Sequence, residues 1–260
     1  MSNDSLLKTF LVAIAVCFVC ATAVTTANVA LRPRIEANKL NFKRGNIALA
    51  AGLLKPGYKT SEIDAAFKKI DIQVVDLKTG KFVSNDKEFN PLTFDSRSVL
   101  KNPEMTMVPE GAVKPGVQTV PRYETVYIVK NDKGELERLV LPFFGKGLWS
   151  TMYGFVSLES DFQTVGRLLY YDQLETAGLG GEVENPNWAN KWIGKKAFDP
   201  AGNPKVHVIK GIVDNSDAQK EYKVDGISGA TLTCNGVNNQ LTYWLTEFKP
   251  LINQLKGGNK

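Results

Sequence analysis

Residues 9–31 carry no formal charge, and their core, FLVAIAVCFVCATAV, is apolar on every side of a helix rather than on one face. A run of that length crosses the hydrocarbon layer as a helix. Two readings stand for it: a retained anchor, or a cleaved signal with Lys8 as its basic region and Ala21-Thr22-Ala23 as its cleavage site. Lys8 on one side faces Arg32, Arg34 and Lys39 on the other, so charge bias leaves orientation open. Beyond it, residues 34–53 place Ile35, Ile47, Leu49 and Leu53 at helical spacing before a Lys55-Pro56-Gly57 break. Residues 60–69 predict a short capped helix, and residues 72–77 a strand closed by a Thr79-Gly80 turn.

Two hairpins follow. Residues 126–129 and 136–144 flank Asn131-Asp132-Lys133-Gly134, and residues 152–158 and 165–171 flank Glu159-Ser160-Asp161. Residues 206–213 predict another strand. From Thr233 onward Val237, Leu241, Leu245, Phe248, Ile252 and Leu255 recur every three or four residues, predicting an amphipathic helix kinked at Pro250. Residues 84–118 lack periodicity and predict long connections, with 72–120 a candidate insertion. The expected fold is α+β: one amino-terminal transmembrane helix over 9–31, then a mixed domain over 32–260 with an antiparallel sheet and a carboxy-terminal helix.

Composition narrows the functional classes. A chain of 260 residues with 43% hydrophobic content folds. Its 32 basic and 27 acidic residues leave a net charge of +5 spread without long runs, so nucleic acid is not an expected partner. Cys17, Cys20 and Cys234 form neither a metal-binding spacing nor a disulfide framework. Cys17 and Cys20 read as small apolar filler, Cys234 as a buried thiol, and the lone His207 as structural.

Chemistry concentrates in Asp225-Gly226-Ile227-Ser228-Gly229-Ala230-Thr231-Leu232-Thr233. Hydroxyls stand there among side chains too small to shield them, just ahead of a helix whose first amides can receive an anion. Thr233 is the expected amino-terminal cap. Asp225 by itself reads as a turn or cap residue. Two glycine-rich segments accompany this motif: Gly145-Lys146-Gly147-Leu148-Trp149-Ser150 at a strand end, and Glu175-Thr176-Ala177-Gly178-Leu179-Gly180-Gly181.

In combination and order, GKGLW, ETAGLGG, WANKWIGK and DGISGATLT closely resemble the FMN-binding C-subunit family of sodium-translocating NADH:quinone reductases, related to the G-subunit family of Rnf complexes. The resemblance covers nearly the whole chain. It implies FMN bound covalently, by a phosphoester to the Thr231 hydroxyl, after a flavin transferase uses FAD as donor and releases AMP. It also implies a second role for Asp225, helping the transferase orient its metal or the hydroxyl. Ser228 and Gly229 would keep the loop narrow, Ala230 would border the cofactor with them, and the ring would rest on Leu148, Trp149, Thr176 and Leu179 beside Gly178. Tyr170, Tyr171, Trp188 and Trp192 read as core or interface. Ala177 stands where the family's turn leads one to expect proline, removing a fixed φ.

The resemblance further implies residues 1–8 in the cytoplasm and the domain in the periplasm, on the bacterial inner membrane and in contact with its lipid. Expected partners are subunits A, B, D, E and F, especially flavin-bearing B and membrane subunits D and E. Electrons would travel from NADH toward ubiquinone. The G-subunit of a ferredoxin:NAD oxidoreductase, or an anchored module holding flavin noncovalently, are the alternatives.

Overall fold

The computed structural model describes residues 5–83 and 89–258, which form two compact units dividing at Arg44 and Gly45. Helix α1, Leu6–Ala50, is continuous through Pro33 rather than two separate helices. Arg32 and Glu36 pair across the proline at 3.0 Å, one turn apart on the same face. The most apolar stretch of α1 has a mean hydropathy of 2.4, and its large apolar side chains are exposed. It is long and apolar enough to cross a membrane.

In the second unit, the last turn of α1 precedes α2 (Thr60–Phe67) and β1 (Ile70–Asp76). The connection that follows is not wholly irregular: it holds α3 (Ser96–Val99), β2 (Thr106–Met107) and β3 (Val120–Pro121), with residues 84–88 outside the described ones. Such two-residue pairings leave no periodicity for a sequence to display. Arg122 secures the end of this segment by a paired contact to Asp76, at 2.8 Å and 3.2 Å. Then come β4 (Tyr123–Lys130), β5 (Leu136–Lys146), β6 (Thr151–Glu159) and β7 (Val165–Asp172). With β1 they make a five-stranded antiparallel sheet in the order β1-β4-β5-β6-β7. Both expected hairpins are present, β4 with β5 and β6 with β7.

Side chains alternate between the two sheet faces, and each face is covered. Tyr127, Val129, Val140 and Phe155 pack with Ile47, Ala50, Ile63 and Ala66 of α1 and α2. Ile128, Leu139, Leu141, Phe143, Val156 and Leu168 face the carboxy-terminal helices. After α4 (Pro186–Ala189), the expected strand over 206–213 reduces to β8, His207–Val208. Its parallel partner β9 is itself only Lys223–Val224, so the ladder ends there. The final helix is two: α5, Thr231–Glu247, and α6, Lys249–Gly258. Pro250 falls in the first turn of α6, where its missing N–H costs nothing, and breaks rather than bends the run.

Tyr170, Trp188 and Trp192 are buried in the core, and Tyr171 is half-buried against Phe155. Two tryptophans in this core differ in hydrogen bonding. The Trp244 indole N–H donates to the Phe144 carbonyl at 2.6 Å, whereas the Trp192 indole N–H has no partner among the described residues. Trp244→Phe strands the carbonyl, while Trp192→Phe removes a donor already unsatisfied. Urea unfolding of the two variants is expected to show Trp244→Phe costing about 1–2 kcal/mol more than Trp192→Phe.

Candidate functional site

Three segments meet at one carboxylate. Glu175, 8% exposed, follows β7 and accepts from the amides of Leu148 at 3.0 Å, Trp149 at 2.9 Å and Ser150 at 3.0 Å. It also accepts from the Thr233 hydroxyl at 2.8 Å. The β5–β6 turn, the end of β7 and the start of α5 are therefore bound to the same two oxygens. Burial pushes the Glu175 carboxyl up, but the Thr233 hydroxyl and the three amides outweigh it and hold its pKa below the ordinary value. Gly180 closes on this centre: a Cβ there would lie 2.5 Å from the Thr233 hydroxyl oxygen and 2.9 Å from the Glu175 Cβ. The Ser150 hydroxyl in turn accepts from the Leu174 amide at 2.8 Å.

Thr233 is thus not the helix cap that local sequence suggests. Helix α5 begins two residues earlier, after Ala230, without a side-chain cap, because Thr233 points its hydroxyl into the core toward Glu175. The first intrahelical acceptor in α5 is the Ala230 carbonyl, bonded by the Cys234 amide at 2.9 Å. The amides of Thr231, Leu232 and Thr233 precede that bond and have no backbone partner among the described residues, which suits them to an anion. Thr231 itself is the first residue of the helix, and it is exposed.

The loop before Thr231 is fixed from below. Asp225 accepts from the Val213 amide at 2.7 Å and pairs with Lys191 at 2.6 Å. Burial pushes its carboxyl up, but Lys191 and the Val213 amide prevail and lower its pKa. The Trp188 indole N–H donates to the Asp225 carbonyl at 2.9 Å. In this structure Asp225 ties the WANKW turn and residue 213 to the motif. Gly229 has φ +71, a left-handed backbone suited to glycine, and a Cβ there would meet Leu179 at 2.9 Å. Ser228 and Gly229 are exposed, and Ala230 is buried.

Leu148, Trp149, Thr176, Gly178 and Leu179 are all exposed. Leu148 and Trp149 are held by Glu175, and Leu179 lies against Gly229, so the expected ring surface borders the motif. The turn at Ala177 closes without proline, since the Thr176 carbonyl accepts from Leu179 at 3.1 Å and from Gly181 at 2.9 Å. Beside Thr231 opens a cleft of about 450 Å³ whose walls include Ile209, Lys210, Ile212, Ile227, Cys234 and Asn235. Among the described residues no carboxylate lines it. Burial raises the pKa of the Cys234 thiol, which keeps it protonated near neutrality. His207 directs Nδ1 to the Lys205 carbonyl at 2.8 Å, a structural contact.

Sequence reasoning missed two things: the keystone role of Glu175, and the wall formed by residues 209–212. An acid at a strand end before glycines carries no local sign of burial. Lys210 was hidden within a segment that reads as a strand. The donor set otherwise fits the phosphate of FMN: an exposed hydroxyl, uncapped helix amides and a cleft wall without acids among the described residues.

Comparison with known proteins agrees with this geometry. The FMN-binding domain family matches residues 147–246, spanning all three segments. The C-subunit of the Na(+)-translocating NADH-quinone reductase of Yersinia pestis is 40% identical over 99% of this chain and 96% of its own length. That of Pseudomonas aeruginosa is 42% identical over 94% of this chain and 93% of its own. Among solved structures, NqrC of Shewanella oneidensis superposes with a TM-score of 0.77 at 35% identity, covering 85% of this chain and 99% of that one. The two sequence relatives bear the name of the sodium pump's component and not of its Rnf counterpart.

Replacing Glu175 by Gln presents an amide to groups that are themselves donors. Glu175→Gln is expected to cost about 1–3 kcal/mol in urea unfolding at neutral pH. Because the folded pKa is depressed, the carboxylate's stabilisation is complete above the ordinary value of 4.5 and is lost as pH falls below it toward the folded pKa. The gap between wild type and variant should therefore narrow on acidification below that value, and a gap constant across the acid range would contradict this account.

Proposed function

Since this chain belongs to the C-subunit family of Na(+)-translocating NADH-quinone reductases and carries an FMN-binding domain, we propose that it is the component that holds FMN on Thr231 and relays electrons within that complex. The observation that carries this reading is the pair of threonines at the start of α5. The Thr233 hydroxyl is consumed inside the fold by Glu175, while Thr231, two residues earlier, stands exposed at the uncapped first position.

A threonine hydroxyl is a weak nucleophile, so attachment needs an activated donor and a separate transferase. Thr231 is then a modified residue rather than a catalyst, with the FMN phosphate facing the free amides of Thr231, Leu232 and Thr233. When bound, FMN supplies reversible electron transfer. Leu148, Trp149, Thr176 and Leu179 offer the ring an open shelf, and Glu175 holds the first two in place through their amides. An exposed ring gives up the contact area that would otherwise retain it, and a covalent tether removes dissociation from the balance.

In this reading residues 9–31 are a retained anchor in the inner membrane, residues 32–260 lie in the periplasm, and subunits B, D and E are the neighbours. The alternative of noncovalent flavin on the same fold is distinguished by the same experiment. Intact mass of the full chain, co-expressed with a flavin transferase, should show residues 1–31 retained and the added mass of one FMN less one water. Thr231→Ala should show no addition, and wild type without the transferase should show none. Flavin that persists on Thr231→Ala, or that washes out of the wild type, would sink the covalent reading. Protease added outside spheroplasts should remove the domain and spare the anchor; protection of the domain would refute the proposed orientation.

A further inference from the structure

We propose that Arg32, Arg34 and Lys39 form a cationic collar around α1 that gathers anionic phospholipids, those whose phosphodiester headgroup carries no amine to balance it. The collar serves the leaflet at the carboxy-terminal end of the span. This rests on the retained anchor and the outward domain argued above. The first ground is an imbalance of charge. Lys8 and the terminal amine precede the apolar run together with Asp4, whereas Arg32, Arg34, Lys39, Lys43 and Arg44 follow it against the single acid Glu36. An excess of cations ordinarily marks the cytoplasmic side. With the domain outside, this excess stands on the opposite side, so insertion does not account for it. Anionic headgroups do, because they attract each cation held within a Debye length of the surface.

The second ground is height. α1 runs without a break past Arg44, so the cations sit on a rod that climbs about 1.5 Å per residue. The headgroup layer is roughly 5–7 Å deep on each side of the hydrocarbon. With Leu31 at its inner boundary, Arg32 and Arg34 lie within that layer. Lys39 starts about 12 Å up the rod. Helix side chains lean toward the N-terminus, here back toward the membrane, and the long lysine stem brings its ammonium down. Lys43 and Arg44, a further turn along, lie beyond it. Around the helix, Lys39 follows Arg32 by close to two turns and shares its face, while Arg34 stands on the opposite side. All three are exposed. The one acid in the collar does not cancel it. Glu36 accepts from the Arg32 Nε at 3.0 Å, which holds the guanidinium by one edge and leaves its terminal amino groups for a phosphate.

The test is native mass spectrometry of the full chain released from nanodiscs that hold phosphatidylglycerol, phosphatidylethanolamine and phosphatidylcholine in equal parts. The wild type should retain phosphatidylglycerol over the two zwitterionic lipids. Arg32→Gln, Arg34→Gln and Lys39→Gln combined should abolish that preference, each cation being worth roughly fivefold in retention. Lys101→Gln, Lys114→Gln and Lys133→Gln combined remove the same charge from exposed positions of the domain and should keep it. Equal retention of the three lipids by the wild type, or an undiminished preference in the Arg32, Arg34 and Lys39 variant, overturns the collar. So does an unchanged lipid profile joined to loss of sister subunits from that variant, which would give these cations to a protein partner. Phosphatidylglycerol held by a chain whose domain is protected from outside protease supports the collar and overturns the orientation. Loss of lipid preference with the domain still cleaved does the reverse.

Discussion

A single buried carboxylate organises the site. Glu175 is one of few acids in the core, and its two oxygens receive three backbone amides from one turn and a hydroxyl from a helix. Each of those donors would be costly to bury unpaired, and so would the charge. Their mutual satisfaction makes the arrangement all-or-none: the turn after β5, the end of β7 and the first turn of α5 take their places together. Hydrogen bonds to ionised groups are the stronger kind, which suits a junction that must hold three separately folded segments in register.

The sheet delivers those segments to the same edge of the molecule. β5 and β6 pair over nine positions from Arg138 with Glu159 to Lys146 with Thr151, so the Gly147–Ser150 turn projects from a long, regular ladder. β7 pairs beside it and carries Glu175 just past its end. α5 crosses β5, where the Gln240 amide accepts from the Tyr170 hydroxyl at 3.1 Å and donates to the Lys146 carbonyl at 3.4 Å. The apolar face of α5 that packs on the sheet is what fixes the direction of its first turn, and with it the position of Thr231.

Much of this was legible in the sequence because it is local. The two hairpins, the apolar amino-terminal helix and the hydroxyl-bearing loop before a helix each announce themselves within a few residues. What escaped reading is nonlocal. Glu175 finds its partners 25 to 27 residues upstream and 58 residues downstream, and nothing beside it foretells them. Thr233 satisfied every local criterion for a helix cap, yet a distant carboxylate claimed its hydroxyl. Residues 206–213 had the apolar content of a strand but met a partner only two residues long, and so became a cleft wall instead. Pro250 was correctly seen as a disruption, while its consequence, two helices in place of one, depends on packing of α6 that no single residue encodes.

The division between the two threonines also sets an order of events. Among the described residues, the start of α5 is held through Ala230, Thr233 and Cys234, and no hydrogen bond there uses the Thr231 hydroxyl. Under the attachment proposed above, the domain would complete its folding before any cofactor arrived, and a transferase would meet a folded target instead of a disordered peptide. Maturation would then be a late step acting on correctly folded chains, and a misfolded copy, lacking the presented hydroxyl, would go unloaded.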